Sequence, residues 1–292
     1  MNFLLSRPAR CTALALVCLL GAAGSSARAQ TLVGLSFFDN ELFSINTTTG
    51  AGTLLGNLGA NVSGYGLAYR GSQLYTFNST VDRIQQINPA NGAILSSTDI
   101  GVGNLTGEGD LTFRSDGIGF LSTAFRGTSS AVANSLFSFN LTTGTSTLLA
   151  STAVTIDGLA FIGNTLYAVD QDALPSLYIV NQTTGFLTKV GALGVDMNSP
   201  FLGLTARDAT SLFAAIDDRL YVVNAATGAA TAVNSSPFVD LNFSSVSGLA
   251  RAPAPVMTVV PEPSTYGLIG AAGLFLCVVV RKLRAKRMPE AC

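Results

Sequence analysis

Leu42 to Gly56 reads LFSINTTTGAGTLLG, and the same shape returns four more times. It is IQQINPANGAILSS from Ile84, LFSFNLTTGTSTLLA from Leu136, LYIVNQTTGFLTKVG from Leu177 and LYVVNAATGAATAVN from Leu220. Each copy is an apolar strand, then Asn, a short turn and a Gly, then a second strand. The turn glycines Gly50, Gly92, Gly144, Gly185 and Gly228 are spaced by 42, 52, 41 and 43 residues. The turn chemistry predicts a hairpin: Gly supplies positive φ, and Asn tolerates left-handed geometry.

A second motif falls between copies of the first. It reads YGLAYRGSQLYTFNS from Tyr65, GDLTFRSDGIGFLST from Gly109, DGLAFIGNTLYAVDQ from Asp157 and, more weakly, LGLTARDATSLFAAI from Leu202. Each unit therefore holds four short strands with β-branched and aromatic enrichment, punctuated by Gly, Asn, Asp and Ser. Four strands in about 43 residues match one propeller blade. The ends support closure. SGLARAP from Ser247 is a first strand without its second, and TLVGLSFF from Thr31 is a second strand without its first. Joined, they complete a blade and remove the open edges of a linear array. The expected fold is all-β, a β-propeller of about five four-stranded blades. The alternatives are six blades, if Gly119–Asn134 hides extra strands, or a β-sandwich pair. The LYxxN…TTG blades look similar to those of secreted NHL/YVTN-like and quinoprotein-like propellers.

The repeat body spans residues 30–252. It carries 15 acidic against 8 basic residues, a balance that argues against nucleic acid as a partner. The four cysteines, Cys11, Cys18, Cys277 and Cys292, lie outside it. The body therefore forms no disulfide of its own and rests on burial alone. The chain has no histidine, which excludes His-dependent triads and zinc sites built on imidazole. No Walker loop, Gly-x-Ser-x-Gly elbow or dinucleotide fingerprint is present. Eight Asn-x-Ser/Thr sequons run from Asn46 to Asn242; several coincide with the turns and are read as turn chemistry.

Residues 1–29 read as a secretory signal peptide. Arg7 and Arg10 precede a short apolar stretch, and the small residues Ala27 and Ala29 occupy the −3 and −1 positions of a cleavage site before Gln30. At the other end, residues 253–264 form a Pro-rich linker, held extended by Pro253, Pro255, Pro261 and Pro263. Residues 265–292 follow as an expected transmembrane helix and basic cytoplasmic tail. The strongly apolar part, Tyr266–Val280, would rise about 22 Å as a helix, short of a ~30 Å hydrocarbon core. Arg281, Lys282, Arg284, Lys286 and Arg287 form a stop-transfer cluster that stays cytoplasmic by the positive-inside rule. That leaves the body outside, in agreement with the signal peptide.

This ordered tail, Val260-Pro261-Glu262-Pro263-Ser264-Thr265, an apolar run and a basic cluster, resembles the PEP-CTERM sorting signal. Met288–Cys292 extend beyond the usual end of that pattern. The resemblance implies that Pro261, Glu262 and Pro263 are the motif read by a membrane-embedded, exosortase-like enzyme after signal peptidase has acted. It also implies export across the inner membrane of a Gram-negative bacterium, a transient membrane stage through residues 265–280, and delivery to the cell surface or an exopolysaccharide matrix. A simple permanent tail anchor is the plainer reading of the same residues.

Within the body, Glu108, Asp110 and Asp157 are the candidate metal ligands. The two aspartates occupy matching places in the second motif, where a ring of acids lining a propeller channel would suit calcium; turn capping is the commoner use of such residues. Asp170-Gln171-Asp172 and Asp217-Asp218 are weaker patches of the same kind. Tyr75, Tyr167, Tyr178 and Tyr221, with Phe43, Phe77 and Phe137, are read as inter-blade core rather than as a sugar-stacking platform. The expected function is a non-enzymatic, exported surface or matrix protein, without a required cofactor, whose body binds polysaccharide or protein. The alternatives are a calcium-dependent propeller hydrolase or lactonase, and a permanently anchored periplasmic-side receptor.

Overall fold

A computed structural model of the chain describes residues 32–59, 64–102, 108–123, 134–198, 201–233 and 245–252. The cleavage site at Ala27 and Ala29, the Pro261-Glu262-Pro263 motif, the apolar run and the basic cluster Arg281–Arg287 lie outside the described residues.

The described chain is a five-bladed β-propeller of four-stranded antiparallel sheets. The second blade contains β4 (Gly64–Arg70), β5 (Gln73–Asn78), β6 (Arg83–Ile87) and β7 (Ile94–Asp99). The third contains β8 (Leu111–Phe113), β9 (Gly119–Thr123), β10 (Ser135–Asn140) and β11 (Thr145–Ser151). The fourth contains β12 (Ile156–Ile162), β13 (Thr165–Asp170), β14 (Ser176–Val180) and β15 (Leu187–Ala192). The fifth contains β16 (Leu202–Ala206), β17 (Ser211–Ile216), β18 (Arg219–Asn224) and β19 (Ala230–Ala232). The first is composite: β1 (Leu32–Ser36), β2 (Glu41–Ile45) and β3 (Gly52–Asn57) receive β20 (Val246–Arg251) as their innermost strand.

That closure pairs Leu32 with Arg251, Val33 with Ala250 and Gly34 with Leu249. The innermost strands β20, β4, β8, β12 and β16 touch in that order, and β16 returns to β20. The ring thus has five blades, not six. Among the described residues the longer second spacing adds no sheet; the extra length falls between the end of β9 and the start of β10.

Five apolar clusters hold the blades together, one at each blade interface. Leu35, Leu42 and Leu58 of the first blade meet Leu67, Leu74 and Ile87 of the second. Phe77 meets Phe137 across the next interface, and Phe120 with Leu136 meets Leu159 and Leu166 across the third. Leu177 meets Leu204 across the fourth, and Phe213 meets Phe43 across the fifth. Each fully buried side chain of this size contributes roughly 1.5–3 kcal/mol. Phe43, Phe77, Phe137 and Tyr75 are buried as the repeat predicts, while Tyr167, Tyr178 and Tyr221 are half-buried.

The hairpin of the repeated motif works differently from its sequence reading. The five turn glycines do adopt positive φ, from 65° to 81°. The Asn residues do not; among non-glycine residues, positive φ occurs at Asn40, Asp82, Asn134 and Asp217. Instead the Asn side chain accepts a main-chain hydrogen bond within the turn. Asn46 Oδ1 accepts from the Thr48 amide at 2.9 Å, and Asn181 Oδ1 accepts from Thr183 at 2.9 Å. It is a local Asx turn, which needs the side-chain oxygen and not a left-handed backbone.

The turn glycine has a second duty. A Cβ on Gly92 would lie 3.1 Å from the Asn57 carbonyl carbon, and one on Gly144 would lie 3.0 Å from the Asp99 carbonyl oxygen. Gly185 likewise faces Ala150, and Gly228 faces Gly191. In the second to fifth blades the hairpin tip therefore seats on the outermost strand of the preceding blade. At these four positions the glycine is fixed twice, by backbone conformation and by lack of room.

Candidate functional site

The innermost strands share a tripeptide, and it organises the channel. It reads Tyr65-Gly66-Leu67, Asp157-Gly158-Leu159, Leu202-Gly203-Leu204 and Ser247-Gly248-Leu249; the third blade has Gly109-Asp110-Leu111. Glycine is required because five backbones crowd one axis. A Cβ on Gly203 would sit 2.7 Å from main-chain atoms of Gly248 and Leu249, and one on Gly248 would sit 2.6 Å from Gly66. Only the third blade places a side chain there, Asp110.

The Asp110 carboxylate collects amides from around the ring. The Leu159 N–H donates to Oδ2 at 2.7 Å and the Leu111 N–H donates to Oδ1 at 2.8 Å. The amides of Leu67 and Leu204 also favour its charged form. Four different strands thus converge on one fully buried side chain. Burial pushes the Asp110 carboxyl well above its usual range, and the four amides oppose that rise without cancelling it.

Asp157 also points into the axis. Its Oδ2 accepts the Leu202 N–H at 2.8 Å, and the Gly109 amide also favours its charged form. Burial raises its pKa first, then the charges of Glu108 and Asp110. Glu108 is only half-buried and accepts a hydrogen bond from the Gln171 side-chain amide. The three sequence candidates therefore do come together, at the end of the channel where the inner strands begin. The oxygens of the two aspartates are taken by main-chain N–H groups, which is a scaffold role. Among the described residues, no group of three or more His, Cys, Asp and Glu side chains is arranged to hold a metal ion.

The weaker acidic patches are similarly engaged. Asp170 accepts from the Ser176 amide and the Tyr178 hydroxyl, each at 2.7 Å. Burial is the first cause raising the pKa of both Asp170 and Tyr178, and their contact raises Tyr178 further. Asp217 accepts from the Asn198 amide at 3.0 Å and from its side chain at 3.0 Å.

The two faces of the disc differ in charge. Where the inner strands begin and β1–β2, β5–β6, β13–β14 and β17–β18 turn, the described acids besides the channel Asp110 and Asp157 are Asp39, Glu41, Asp82, Asp99, Glu108, Asp170, Asp172, Asp196, Asp217 and Asp218, against Arg83 and Arg219. The opposite face, made by the turns after β4, β8 and β16 and the end of β20, carries Arg70, Arg114, Arg207 and Arg251 against Asp116 and Asp208. Both Leu32 and Arg251 lie at this arginine-bearing face, because they are paired.

Two features of the acidic face escape a sequence reading. Phe37 stacks on Phe201 with ring centroids 4.3 Å apart, and Phe38, 66% exposed, meets both edge-on. The adjacent Phe37-Phe38 pair at a strand end was the signal available, since it breaks the inward–outward alternation. Asp196, Asn198, Asp217, Asp218, Arg219 and Tyr221 also line a polar cavity of about 260 Å³.

No protein-family model matches this sequence, and no curated protein matches it. Among solved structures, a chain from a crystal structure of a nidogen/laminin complex has the same fold. It superposes with a TM-score of 0.52 at 8% identity, covering 77% of this chain and 99% of that chain. At that identity the likeness concerns architecture alone.

Proposed function

We propose that this protein is an exported, non-enzymatic surface or matrix component, sorted by its Pro261-Glu262-Pro263 tail, whose propeller is a rigid recognition body for polysaccharide or protein. The observation that carries the reading is the use made of the channel carboxylates. Asp110 and Asp157 accept main-chain amides from the inner strands, so the acids nearest the axis serve the scaffold. The chain's geometry suits a tether as well. The last described strand ends at the arginine-bearing face, where Arg251 pairs with Leu32, and the acidic face with Phe37 stacked on Phe201 lies opposite.

Deletion of 261–287 tests the sorting part. The expected result is loss of surface or matrix distribution in the native host; an unchanged distribution overturns it. The intact mass of the mature protein distinguishes an address from an anchor, since a mass that includes Arg281–Cys292 means permanent anchoring.

One observation favours the calcium-dependent hydrolase as a second reading: Glu108 and Asp110 both act electrostatically on Asp157. Calcium titration separates the two. A calcium-induced rise in melting temperature that disappears in Glu108→Gln supports the metal site, and no shift supports the scaffold role.

A further inference from the structure

The arginine-bearing face is built by the ends of the inner strands. β4 ends at Arg70 and β20 at Arg251, and β8 and β16 are followed at once by Arg114 and Arg207; β12 ends at the uncharged Ile162. The four arginines are not equally engaged. Arg114 is held by Asp116 at 2.7 Å and by the Gln182 side chain at 2.9 Å. Arg207 is exposed and lies 3.7 Å from Asp208. Arg251 donates to the Ala206 carbonyl at 3.5 Å, the limit of a hydrogen bond. Burial lowers the Arg251 pKa, Asp208 opposes that fall and the neighbouring Arg207 adds to it. Arg70 is half-buried over Gly117, beside the turn that carries Arg114, with no hydrogen-bond or ion-pair partner among the described residues.

Four guanidiniums thus stand against two carboxylates. The opposite face is the reverse: its two arginines are each beside an acid, Arg83 at 3.7 Å from Asp99 and Arg219 at 3.5 Å from Asp218, and the remaining acids are in excess. A negatively charged surface therefore attracts one face of the disc and repels the other. The course of the chain selects which such surface is in reach. The last described strand ends at the arginine-bearing face. Residues 253–264 follow, roughly 40 Å when extended, and lead to the apolar run. On the reading that residues 265–280 enter a membrane, the disc is confined within that distance of the bilayer, at an effective concentration that makes a weak contact sufficient.

We propose that the arginine-bearing face docks on the anionic phospholipid headgroups of the bilayer that holds the tail, through Arg70, Arg207 and Arg251, and presents the acidic face outward. Attraction of the arginines and repulsion of the acids act together to set one orientation, and both fade beyond a Debye length, about 8 Å at physiological salt.

The full-length chain, its four native cysteines changed to Ser, tests this with a donor dye on Ser72→Cys, in the exposed turn after β4, or on Leu174→Cys, 64% exposed in the β13–β14 turn of the acidic face. It is reconstituted into vesicles of phosphatidylcholine, alone or mixed with phosphatidylglycerol, that carry a headgroup-labelled acceptor. Energy transfer from Ser72→Cys is expected to rise several-fold with phosphatidylglycerol and to fall back between about 0.02 and 0.5 M salt, with no such rise at Leu174→Cys. Arg70→Gln, which has no partner to lose, should weaken the rise, and Arg70→Gln with Arg207→Gln should cancel it while the circular dichroism spectrum stays unchanged. Transfer indifferent to phosphatidylglycerol, equal at the two dye positions or unaffected by the arginine variants overturns the proposal. So does lipid-indifferent transfer from a chain whose arginines instead bind soluble alginate, which would assign the face to an acidic polysaccharide. Flotation with phosphatidylcholine vesicles reads the tail separately: a chain that does not float overturns the membrane reading itself, and the docking with it.

Discussion

The innermost and outermost strands of each blade obey opposite rules. At the axis, β4, β8, β12, β16 and β20 are buried and held to a Gly-Leu pattern, broken once by Asp110. At the rim, β3, β7, β11, β15 and β19 carry mostly exposed and half-buried side chains and tolerate Leu, Ser, Thr, Lys and Asp. The contrast follows from geometry. Blades converge inward, so backbones approach one another and a Cβ becomes an obstacle; they diverge outward, where side chains meet solvent. The axis therefore specifies the fold, and the rim and faces are free to specify partners.

The sharpest break of that comparison is at the axis. Gly203→Val should prevent folding, since even a Cβ there meets main chain at 2.7 Å, and a loss above about 4 kcal/mol is expected for overpacking against backbone. Soluble yield and cooperative melting read it directly. Ser72→Val, in an exposed turn, should be nearly neutral, within about 0.5 kcal/mol.

Asp110→Ala should cost about 3 kcal/mol, because it strands inward-facing amides without an acceptor. Asp110→Asn should cost less, since its carbonyl oxygen still accepts. The pH dependence sharpens this prediction. Asp110 and Asp157 have folded-state values raised above those of the unfolded chain. Their contribution is thus fully present below the ordinary carboxyl range and is lost as pH rises through the folded values, because the unfolded chain releases its protons first. Thermal melting of the wild type should therefore show a component falling from pH 4 upward, and Asp110→Asn should flatten it. Persistence of that slope in the variant would place its origin elsewhere. Exposed Asp208, held down to about 2 chiefly by the Thr210 amide, acts in the opposite sense: its contribution is present above the ordinary range and is lost as pH falls towards 2.

Between axis and rim stands Gly185, with φ of 70° and Ala150 Cβ at 2.6 Å from any added Cβ. Gly185→Ala should cost about 1–2 kcal/mol, measured by chemical denaturation. An effect of the opposite sign is expected at Tyr65, whose hydroxyl is buried without a hydrogen-bond partner among the described residues. Tyr65→Phe should leave stability unchanged or raise it by up to about 1 kcal/mol. A clear loss would reveal a partner for that hydroxyl.

The blade count and the composite closing blade were legible because each blade repeats the same local problem, and the Asn-x-x-Thr-Gly hairpin marks each solution. Ser247–Arg251 and Thr31–Phe38 each lacked a neighbour in the pattern, which showed that they pair. The mechanism of the hairpin was not legible: Asn46 works through its side-chain oxygen, and the left-handed positions fall at Asn40, Asp82, Asn134 and Asp217. These four precede the third strand of their blades, in turns with no common sequence motif. Glu108, Asp110 and Asp157 were picked out as acids in matching places. Their convergence held, but what satisfies the two aspartates was invisible, because the Leu159 and Leu202 amides lie 49 and 45 residues away.

The sequence by itself determined the periodic β-architecture, the closure, the acidic body and the ordered tail whose resemblance suggests sorting, since all of these are written in local pattern and composition. Only the tertiary structure decided that Asp110 binds the ring from inside and that acids and arginines segregate to opposite faces. Those properties depend on which distant residues share a face or an axis, and no window along the chain contains that information.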